Sequence, residues 1–370
     1  MVHPVPRAPC PVPSERSELR VLLAGGGSGG SATPVLAVAQ SLAQLRPGVR
    51  FLYVGTRDGP EAELATRQGI PFVAVASGRL RRYWDRRNLT DPLHVLHGVE
   101  QATLLARRFR PRLAFAAGGF ASVPAIAGAR LAGARVVIHQ QDVRPGLANR
   151  LLVPLGRRVT LAMPESATHF RAARTEVTGN PVRSEILRAD ARLAFGQLRL
   201  VPELPLVVAT GGGTGALGLN RIVAAAAGRL VGSCQLVHLT GRGRGVPAPV
   251  AERYHQYEFL VDELPPLLAA ATLVVSRAGM GTLSELAALA RPAVVIPLPR
   301  SHQWDNAGAF ARRGAVEVLD QDALSADLLA EHVLALLADA PRRQRLGATL
   351  AASMPRDAAR RVAEILLAEA

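Results

Sequence analysis

The segment from Ser276 to Glu285 reads Ser-Arg-Ala-Gly-Met-Gly-Thr-Leu-Ser-Glu and carries residue types suited to a nucleotide. It leads from an apolar strand through two glycines into a helix, whose first N–H groups suit a pyrophosphate. Glu285 could accept hydrogen bonds from both hydroxyls of a ribose, because a carboxylate has two acceptor oxygens. The segment therefore predicts binding of a nucleoside diphosphate. The alternative is that Glu285 is an ordinary glutamate in the first turn of a helix.

Two glycine runs, Gly25–Gly30 and Gly211–Ala216, stand at matching places in the two halves of the chain. Each follows an apolar strand and precedes a helix, so its backbone can approach an oxygen-rich ligand. Thr33 and Pro34 are predicted to cap and begin the helix after the first run. That run also has the G-x-G-x-x-G spacing of nicotinamide enzymes, but the second strand ends at Val54–Thr56 without their ribose-binding acid. A turn that serves only tight packing is the other alternative.

A polar run, Ser301–Ala307, follows an apolar strand. We expect it in a loop at the carboxyl end of that strand, where open α/β sheets bind ligands. The amides of Gln303 and Asn306 suit sugar hydroxyls, whereas His302 alone would more often be a surface or packing residue. Asp320-Gln321-Asp322 resembles a metal-binding D-x-D string but is more simply a turn and helix cap. We predict no metal site and no requirement for a divalent cation.

Composition limits the classes of protein to consider. With 370 residues and 49% hydrophobic content, the chain predicts two domains. Its net charge of +15 favours phosphates, nucleic acid or an anionic membrane, unless it reflects an arginine-rich genome. Cys10 and Cys234 have no ligand-like spacing, which excludes a disulfide scaffold or zinc site. No apolar run approaches the roughly 20 residues that span a bilayer. Met1–Pro13 lacks the apolar segment of a signal peptide and is predicted to be disordered.

Short β-branched runs alternate with Ala/Leu-rich helical stretches, which is typical of a parallel sheet covered by helices. The predicted strands are Leu19–Ala24, Phe51–Val54, Phe72–Val75, Leu113–Ala116, Val136–His139, Val159–Met163, Leu206–Thr210, Gln235–Thr240, Leu273–Ser276 and Ala293–Leu298. The class is therefore α/β, with two Rossmann-like domains that face a cleft. Thr178–Arg183 has the turn chemistry of a hinge, and the last helix, near Pro355–Leu367, could pack on either domain.

Five segments of the sequence resemble the MurG family of N-acetylglucosaminyltransferases in their order and spacing, and the resemblance covers nearly the whole chain from Leu19. They are the two glycine runs, Gly179–Arg183, Ser276–Glu285 and the polar run Ser301–Ala307. The resemblance implies a GT-B fold with a disordered lead-in at 1–18 and an acceptor and membrane-side domain at 19–179. The donor domain then spans 180–355, and residues 356–370 can pack back on the first domain. UDP-N-acetylglucosamine is implied as the donor, and no cofactor is implied.

The resemblance also assigns donor contacts. The first glycine loop is where the transferred sugar meets the acceptor, Arg183 steadies the phosphates, and the backbone of Leu260 reads the uracil. Gly213 stands where the family has a phosphate-contacting serine, which leaves its backbone or Thr214 for that task. The predicted donor-binding residues are Ser28, Gly29, Gly30, Asp142, Arg183, Gly213, Thr214, Leu260, Met280, Gly281, Thr282, Leu283, Ser284, Glu285, Gln303 and Asn306.

The acceptor side departs from the family pattern. Ser31 stands where the family usually has histidine, Phe120 replaces a tyrosine, and Gln140 replaces the glutamate of a His-Glu-Gln-Asn run. A serine without a basic partner is a poor proton acceptor at neutral pH. The catalytic base is therefore unknown, and His139 and Asp142 are the candidates.

An arginine-rich loop with two aromatic residues, Ser77–Asn88, lies where the family has a loop near its membrane-facing patch. Arginines can bind anionic head groups while the rings lie at the interface. The predicted membrane-facing residues are Arg79, Arg81, Arg82, Tyr83, Trp84, Arg86 and Arg87. A solvated loop is the alternative, and nothing else in the chain supports single-stranded nucleic acid as a partner.

The resemblance thus implies an inverting transferase at the cytoplasmic face of the membrane, which moves N-acetylglucosamine to a lipid-linked muramoyl-pentapeptide. One alternative is a related transferase with another acceptor. A second is a catalytically silent nucleotide-sugar binding protein, and the third is a nicotinamide oxidoreductase.

Overall fold

The computed structural model of the chain describes residues 18–26, 29–57, 59–77, 91–213, 215–247 and 251–370. Of the residues predicted to act in function, Ser28, Thr214 and all seven of the membrane-facing loop lie outside these ranges: Arg79, Arg81, Arg82, Tyr83, Trp84, Arg86 and Arg87.

The first sheet has seven parallel strands in the order β3-β2-β1-β4-β5-β6-β7. Its strands are β1 Arg20–Ala24, β2 Arg50–Gly55, β3 Phe72–Ala74, β4 Leu113–Ala116, β5 Arg135–Gln140, β6 Arg158–Leu161 and β7 Thr175–Val177. The helices between them are α1 Gly29–Leu45, α2 Glu61–Arg67, α3 Asp91–Phe109, α4 Ser122–Leu131 and α5 Leu147–Leu152. The central strands are continuous apolar runs because a parallel sheet is buried on both faces.

Two short helices, α6 Ser184–Leu187 and α7 Ala191–Gln197, lead to the second sheet. That sheet has six parallel strands in the order β10-β9-β8-β11-β12-β13. They are β8 Leu206–Thr210, β9 Gln235–Leu239, β10 Tyr254–Tyr257, β11 Leu273–Ser276, β12 Ala293–Val295 and β13 Glu317–Val318. The remaining helices are α8 Leu217–Leu230, α9 Leu264–Ala270, α10 Met280–Ala288, α11 Gln303–Ala311, α12 Ala326–Ala338, α13 Ala340–Ala352 and α14 Ala358–Glu369.

Each sheet reverses its strand order at one point, between β1 and β4 in the first and between β8 and β11 in the second. Such switch points open a crevice at the carboxyl ends of the strands. In the first sheet two glycine loops meet there: a Cβ on Gly119, whose φ is +87°, would lie 2.3 Å from the Gly26 carbonyl oxygen. The close approach of these loops therefore requires glycine at position 119.

Helix α14 returns to the first domain. Its Val362, Ala363 and Leu366 are buried in one apolar cluster with Val35 and Leu42 of α1. Beyond them Glu369, only 6% exposed, pairs with Arg157 at 2.8 Å and Arg158 at 3.1 Å. The last helix of the chain thus completes the core under the first sheet.

The predicted α/β fold with two Rossmann-like domains is confirmed, and all ten predicted strands are present with small changes at their ends. Three further strands, β7, β10 and β13, lie at sheet edges and were not predicted. As predicted, Asp320-Gln321-Asp322 forms a cap, in which the Asp320 carboxylate accepts from the Asp322 N–H at 3.0 Å. The domain limits of 19–179 and 180–355 stay predictions. Among the helices of the described ranges, none has the length and apolar character to cross a membrane.

Candidate functional site

The amino end of α10 lies at the switch point of the second sheet. Gly279 precedes the helix in an extended conformation, with φ −72° and ψ 131°, and no side chain caps the helix. The first intrahelical bond runs from the Leu283 N–H to the Gly279 carbonyl at 3.1 Å. The N–H groups of Met280, Gly281 and Thr282 therefore have no intrahelical acceptor and suit a phosphate.

Two members of this predicted donor segment, Leu283 and Ser284, require a correction, whereas donor binding by Met280 stays a prediction. The side chains of Met280, Leu283 and Ser284 are buried, and the Ser284 hydroxyl donates to the Met280 carbonyl at 2.6 Å. Met280 can thus offer only its backbone to a ligand. Leu283 and Ser284 lie inside the helix and pack into the domain core instead of facing the crevice.

Arg183 and Glu285, both predicted to hold the donor, are brought together by the fold. Arg183 follows the hinge segment and precedes α6, while Glu285 lies on α10. The guanidinium Nε and Nη2 donate to one carboxylate oxygen, Oε1, at 3.1 and 2.8 Å. The two side chains are 23% and 13% exposed, so this ion pair is partly accessible to solvent.

Other predicted donor residues follow the carboxyl ends of three parallel strands of the second sheet, β8, β10 and β12. The Oε1 of Gln303 accepts from the Leu298 N–H at 2.9 Å, which fixes the side chain and leaves its Nε2 to donate. Leu260 is half-buried against the domain core. Beside it, the guanidinium of Arg242 lies 4.9 Å from the ring centre of Phe259, a contact that sequence reasoning missed. Gly213 is exposed in the turn after β8.

Asn306 is not free to bind a sugar, contrary to the prediction. It is fully buried, and its Oδ1 accepts from the Val143 N–H at 2.9 Å. Its Nδ2 donates to the Asp142 Oδ1 at 2.8 Å and to the Ala278 carbonyl at 3.0 Å. Because the protein occupies all of these groups, Asn306 holds the loop after β5 against the second domain.

Asp142 is the residue that Asn306 holds. Its other carboxylate oxygen, Oδ2, lies 3.7 Å from the Nε2 of His302 on the opposite domain. Its own backbone carbonyl accepts from the Gln140 Nε2 at 2.6 Å and the Ser166 hydroxyl at 3.2 Å. Gln140 thus supports the loop from behind instead of facing an acceptor.

His139, a candidate base by sequence, is placed where it cannot act. Its side chain is fully buried, with Nδ1 at 2.9 Å from the Thr160 hydroxyl and Nε2 at 3.1 Å from the Asn180 Oδ1. Burial lowers its pKa to about 4, although the hydrogen bond to Asn180 opposes this shift. The structure therefore corrects this prediction, and His139 joins β5 to β6 and to the hinge.

The first glycine loop lies at the switch point of the first sheet. Helix α1 begins at Gly29, so Gly29 and Gly30 form its first turn. Thr33 and Pro34 lie inside the helix, and their predicted role at its start is wrong. Ser31 is 6% exposed, and its Oγ lies 3.5 Å from the Gly26 carbonyl oxygen.

Glu61 lies beneath this loop and was missed by sequence reasoning. It is fully buried, and its Oε1 accepts from the Thr56 N–H at 2.9 Å and the Thr56 hydroxyl at 2.6 Å. Its Oε2 is buried and has no hydrogen-bond partner among the residues that the structure describes. A Cβ on Gly26 would lie 2.2 Å from the carboxylate, so this glycine permits the loop to cover Glu61.

Comparison with known proteins adds to this geometry. The sequence profile of the glycosyltransferase family 28 N-terminal domain matches residues 21–161, and that of the C-terminal domain of the same family matches residues 206–362. Together they span most of the chain.

Two relatives carry the name UDP-N-acetylglucosamine–N-acetylmuramyl-(pentapeptide) pyrophosphoryl-undecaprenol N-acetylglucosamine transferase. The protein of Clostridium perfringens is 34% identical over 319 residues, which cover 85% of this chain and 89% of that protein. The protein of Lachnoclostridium phytofermentans is 35% identical over 319 residues, with the same coverage of 85% and 89%.

Among solved structures, MurG of Acinetobacter baumannii aligns with a TM-score of 0.70 at 22% identity, covering 95% of this chain and 99% of that one. The UDP-GlcNAc 2-epimerase of Neisseria meningitidis, solved with UDP-GlcNAc, aligns with a TM-score of 0.69 at 13% identity, covering 95% and 100%. At such identities these two likenesses establish the fold alone.

Proposed function

The chain belongs to glycosyltransferase family 28, and on this premise we propose that it transfers N-acetylglucosamine from UDP-N-acetylglucosamine to a lipid-linked N-acetylmuramoyl-pentapeptide. The reaction is the glycosyl transfer of peptidoglycan synthesis, the activity for which the relatives at 34 and 35% identity are named. The observation that carries the proposal is the Arg183–Glu285 pair beside the uncapped amino end of α10.

The second domain offers what a nucleotide diphosphate needs. The diphosphate of the nucleotide would accept hydrogen bonds from the N–H groups of Met280, Gly281 and Thr282, and Arg183 would be the nearby cation. Glu285 would turn to the ribose hydroxyls, and the Nε2 of Gln303 would donate to a hydroxyl of the sugar. These assignments are proposals that rest on position and chemistry.

Transfer with inversion requires that the acceptor oxygen attack the anomeric carbon as the bond to the diphosphate breaks. Negative charge then accumulates on the leaving uridine diphosphate. Hydrogen-bonding groups and cations that already surround this charge lower the barrier, because they need no rearrangement during the reaction. Arg183 and the amino end of α10 supply these groups, and we propose that no divalent cation is required.

We also propose that the protein binds the cytoplasmic face of the membrane peripherally. Helix α3 follows the arginine-rich loop and exposes large apolar side chains where a water-soluble surface would be polar. Leu93 is 65% exposed, Leu96 66% and Leu104 51%. Leucines beside arginines suit an anionic bilayer surface, where the apolar groups enter the interface and the cations meet head groups. The same surface would bring the enzyme to its lipid-linked acceptor.

The experiment measures release of uridine diphosphate from UDP-N-acetylglucosamine in detergent, with and without the lipid-linked muramoyl-pentapeptide. Acceptor-dependent release that persists in a chelator and collapses in Glu285→Ala would agree with the proposal. Binding of UDP-N-acetylglucosamine without turnover would point to another acceptor or a silent relative. No binding at all would remove the donor assignment.

A further inference from the structure

The acceptor hydroxyl needs a proton acceptor, and of the two predicted candidates, His139 and Asp142, His139 does not provide one. His139 is buried and hydrogen-bonded at both ring nitrogens. Ser31 carries only a hydroxyl and is 6% exposed. A base with a pKa nearer to neutral pH and access to the crevice is required.

Asp142 and His302 provide a carboxylate and an imidazole that face each other across the two domains. The Asp142 carboxylate is fixed by the fully buried amide of Asn306, which binds Oδ1 at 2.8 Å. Two hydrogen bonds to its backbone carbonyl further fix its position. The remaining oxygen, Oδ2, is therefore directed at the Nε2 of His302, 3.7 Å away.

Unlike His139, His302 is accessible to solvent. Its side chain is 44% exposed, and it precedes α11 directly before Gln303, the residue proposed to bind the transferred sugar. With Nε2 facing the carboxylate, the tautomer with hydrogen on Nε2 is favoured, and Nδ1 keeps its lone pair. A carboxylate that orients an imidazole in this way also stabilises the imidazolium that forms.

We propose that His302 is the general base of the transfer reaction and that Asp142 is the positioning residue that orients it. This inference rests on the function proposed above. It assigns the base to the opposite domain from the first glycine loop, where Ser31 stands.

The step balances as a direct displacement. The Nδ1 of His302 takes the proton of the acceptor hydroxyl while the hydroxyl oxygen forms its bond to the anomeric carbon. The bond from that carbon to the diphosphate breaks, and its electron pair leaves with uridine diphosphate. The imidazolium, held by Asp142, then returns its proton to solvent, which the exposure of His302 permits.

The distance of 3.7 Å exceeds that of a hydrogen bond, and catalytic contacts commonly shorten only when substrate is bound. Since Asn306 already joins Asp142 to the second domain at 2.8 Å, a small rotation of the exposed His302 side chain when the donor is bound would complete the pair. The base would then be competent only in the loaded enzyme.

The test compares His302→Gln, Asp142→Asn and the double variant in the acceptor-dependent assay, with UDP-N-acetylglucosamine affinity measured separately by calorimetry. Asp142→Asn keeps an oxygen for Asn306 and removes only the charge. We expect kcat to fall about 100-fold in His302→Gln and about 10-fold in Asp142→Asn, with the double variant no slower than His302→Gln. Donor affinity should stay within about threefold of the wild type, because the two carboxylate oxygens of Asp142 are directed at Asn306 and His302 instead of the predicted donor contact.

Glu165→Gln is the matched control, because it weakens another interdomain ion pair, that of Glu165 with Arg313 at 2.6 Å, and should retain kcat. An equal loss of kcat in this control would show that the loss of any contact between the domains slows the reaction. That result would overturn the proposal for His302 and Asp142. The proposal would also be overturned if His302→Gln kept the kcat of the wild type, or if the loss of kcat in the double variant equalled the product of the losses in the two single variants. A wild type inactive on the lipid-linked acceptor would overturn the proposed function and the base together, whereas an active wild type with an equally active His302→Gln overturns the base alone.

Discussion

Arg183 pairs with Glu285 through two hydrogen bonds to a single carboxylate oxygen. Both residues are proposed to turn to the donor, Arg183 to its phosphates and Glu285 to its ribose. Each charge therefore has a partner before the donor arrives, which avoids leaving a half-buried charge unpaired. If both residues bind the donor as proposed, they exchange each other for the donor when it binds.

Removal of Glu285 should weaken donor binding. Glu285→Ala deletes the proposed acceptor of the ribose hydroxyls, and a hydrogen bond to a charged group is worth about 1.5–3 kcal/mol. We expect the Kd for UDP-N-acetylglucosamine to rise roughly 10- to 100-fold, measured by titration calorimetry. Asp190→Asn, which weakens an exposed Arg–Asp pair at the start of α7, should leave the Kd unchanged. An unchanged Kd in Glu285→Ala would contradict the ribose assignment.

Glu61 should stabilise the first domain. In Glu61→Ala, the N–H and the hydroxyl of Thr56 lose their acceptor beneath the glycine loop. We expect a loss of about 1–3 kcal/mol in the free energy of unfolding, measured with urea, whereas Glu61→Gln retains an acceptor oxygen and most of the stability. Glu63→Ala, on the exposed side of α2, serves as the control. If Glu61→Ala were as stable as the wild type, the carboxylate would have no supporting role.

Acid should destabilise the fold through two buried histidines. Burial lowers the pKa of His139 and of His238 to about 4, whereas both titrate near 6.5 when unfolded. Between these values the unfolded chain binds more protons, so stability is full above about pH 6.5 and falls as the pH drops towards 4. The loss is at most about 1.4 kcal/mol per pH unit for each histidine.

Thermal unfolding at pH 7.5, 6 and 5 measures this slope. His139→Gln and His238→Gln should each flatten the fall of Tm with pH, whatever their effect at pH 7.5. His169→Gln, at an exposed position, should keep the slope of the wild type. Equal slopes in all four proteins would show that carboxylates, not these histidines, control acid stability.

The exposed leucines of α3 should contribute to membrane binding. Leu93→Gln combined with Leu96→Gln removes two apolar side chains, each worth about 1.5–3 kcal/mol when fully buried. We expect at least a 10-fold weaker partition to vesicles that contain phosphatidylglycerol, measured by sedimentation. Leu193→Gln replaces a leucine that is 54% exposed on α7 and should have no effect. Undiminished binding of the double variant would remove α3 from the membrane surface.

The fold was predictable because its central strands carry a strong local signal. Leu206–Thr210 is buried throughout and apolar as far as Ala209, and its predicted limits agree with the structure. The unpredicted strands Thr175–Val177 and Glu317–Val318 lie at sheet edges, where one side has no neighbour and polar residues are tolerated. Their pairing depends on the adjacent strand and leaves no pattern in the sequence.

The site was predictable only in part. Arg183 and Glu285 were both assigned to the donor although 102 residues separate them, because the family resemblance relates their motifs. The burial of Asn306 could not be foreseen, since its contacts with Asp142 and Val143 depend on how two domains meet. Glu61 was missed for a related reason, because a charged residue at the start of a helix normally faces solvent.

The position of α14 bears on the order in which the chain is made and folded. The seven strands of the first sheet are all synthesised by residue 177, but Val362 and Leu366 of its core come almost 200 residues later. During translation, the apolar side of α1 therefore has no final cover while the whole second domain is being produced. The core of the first domain therefore receives its last apolar side chains only after the second domain has been synthesised.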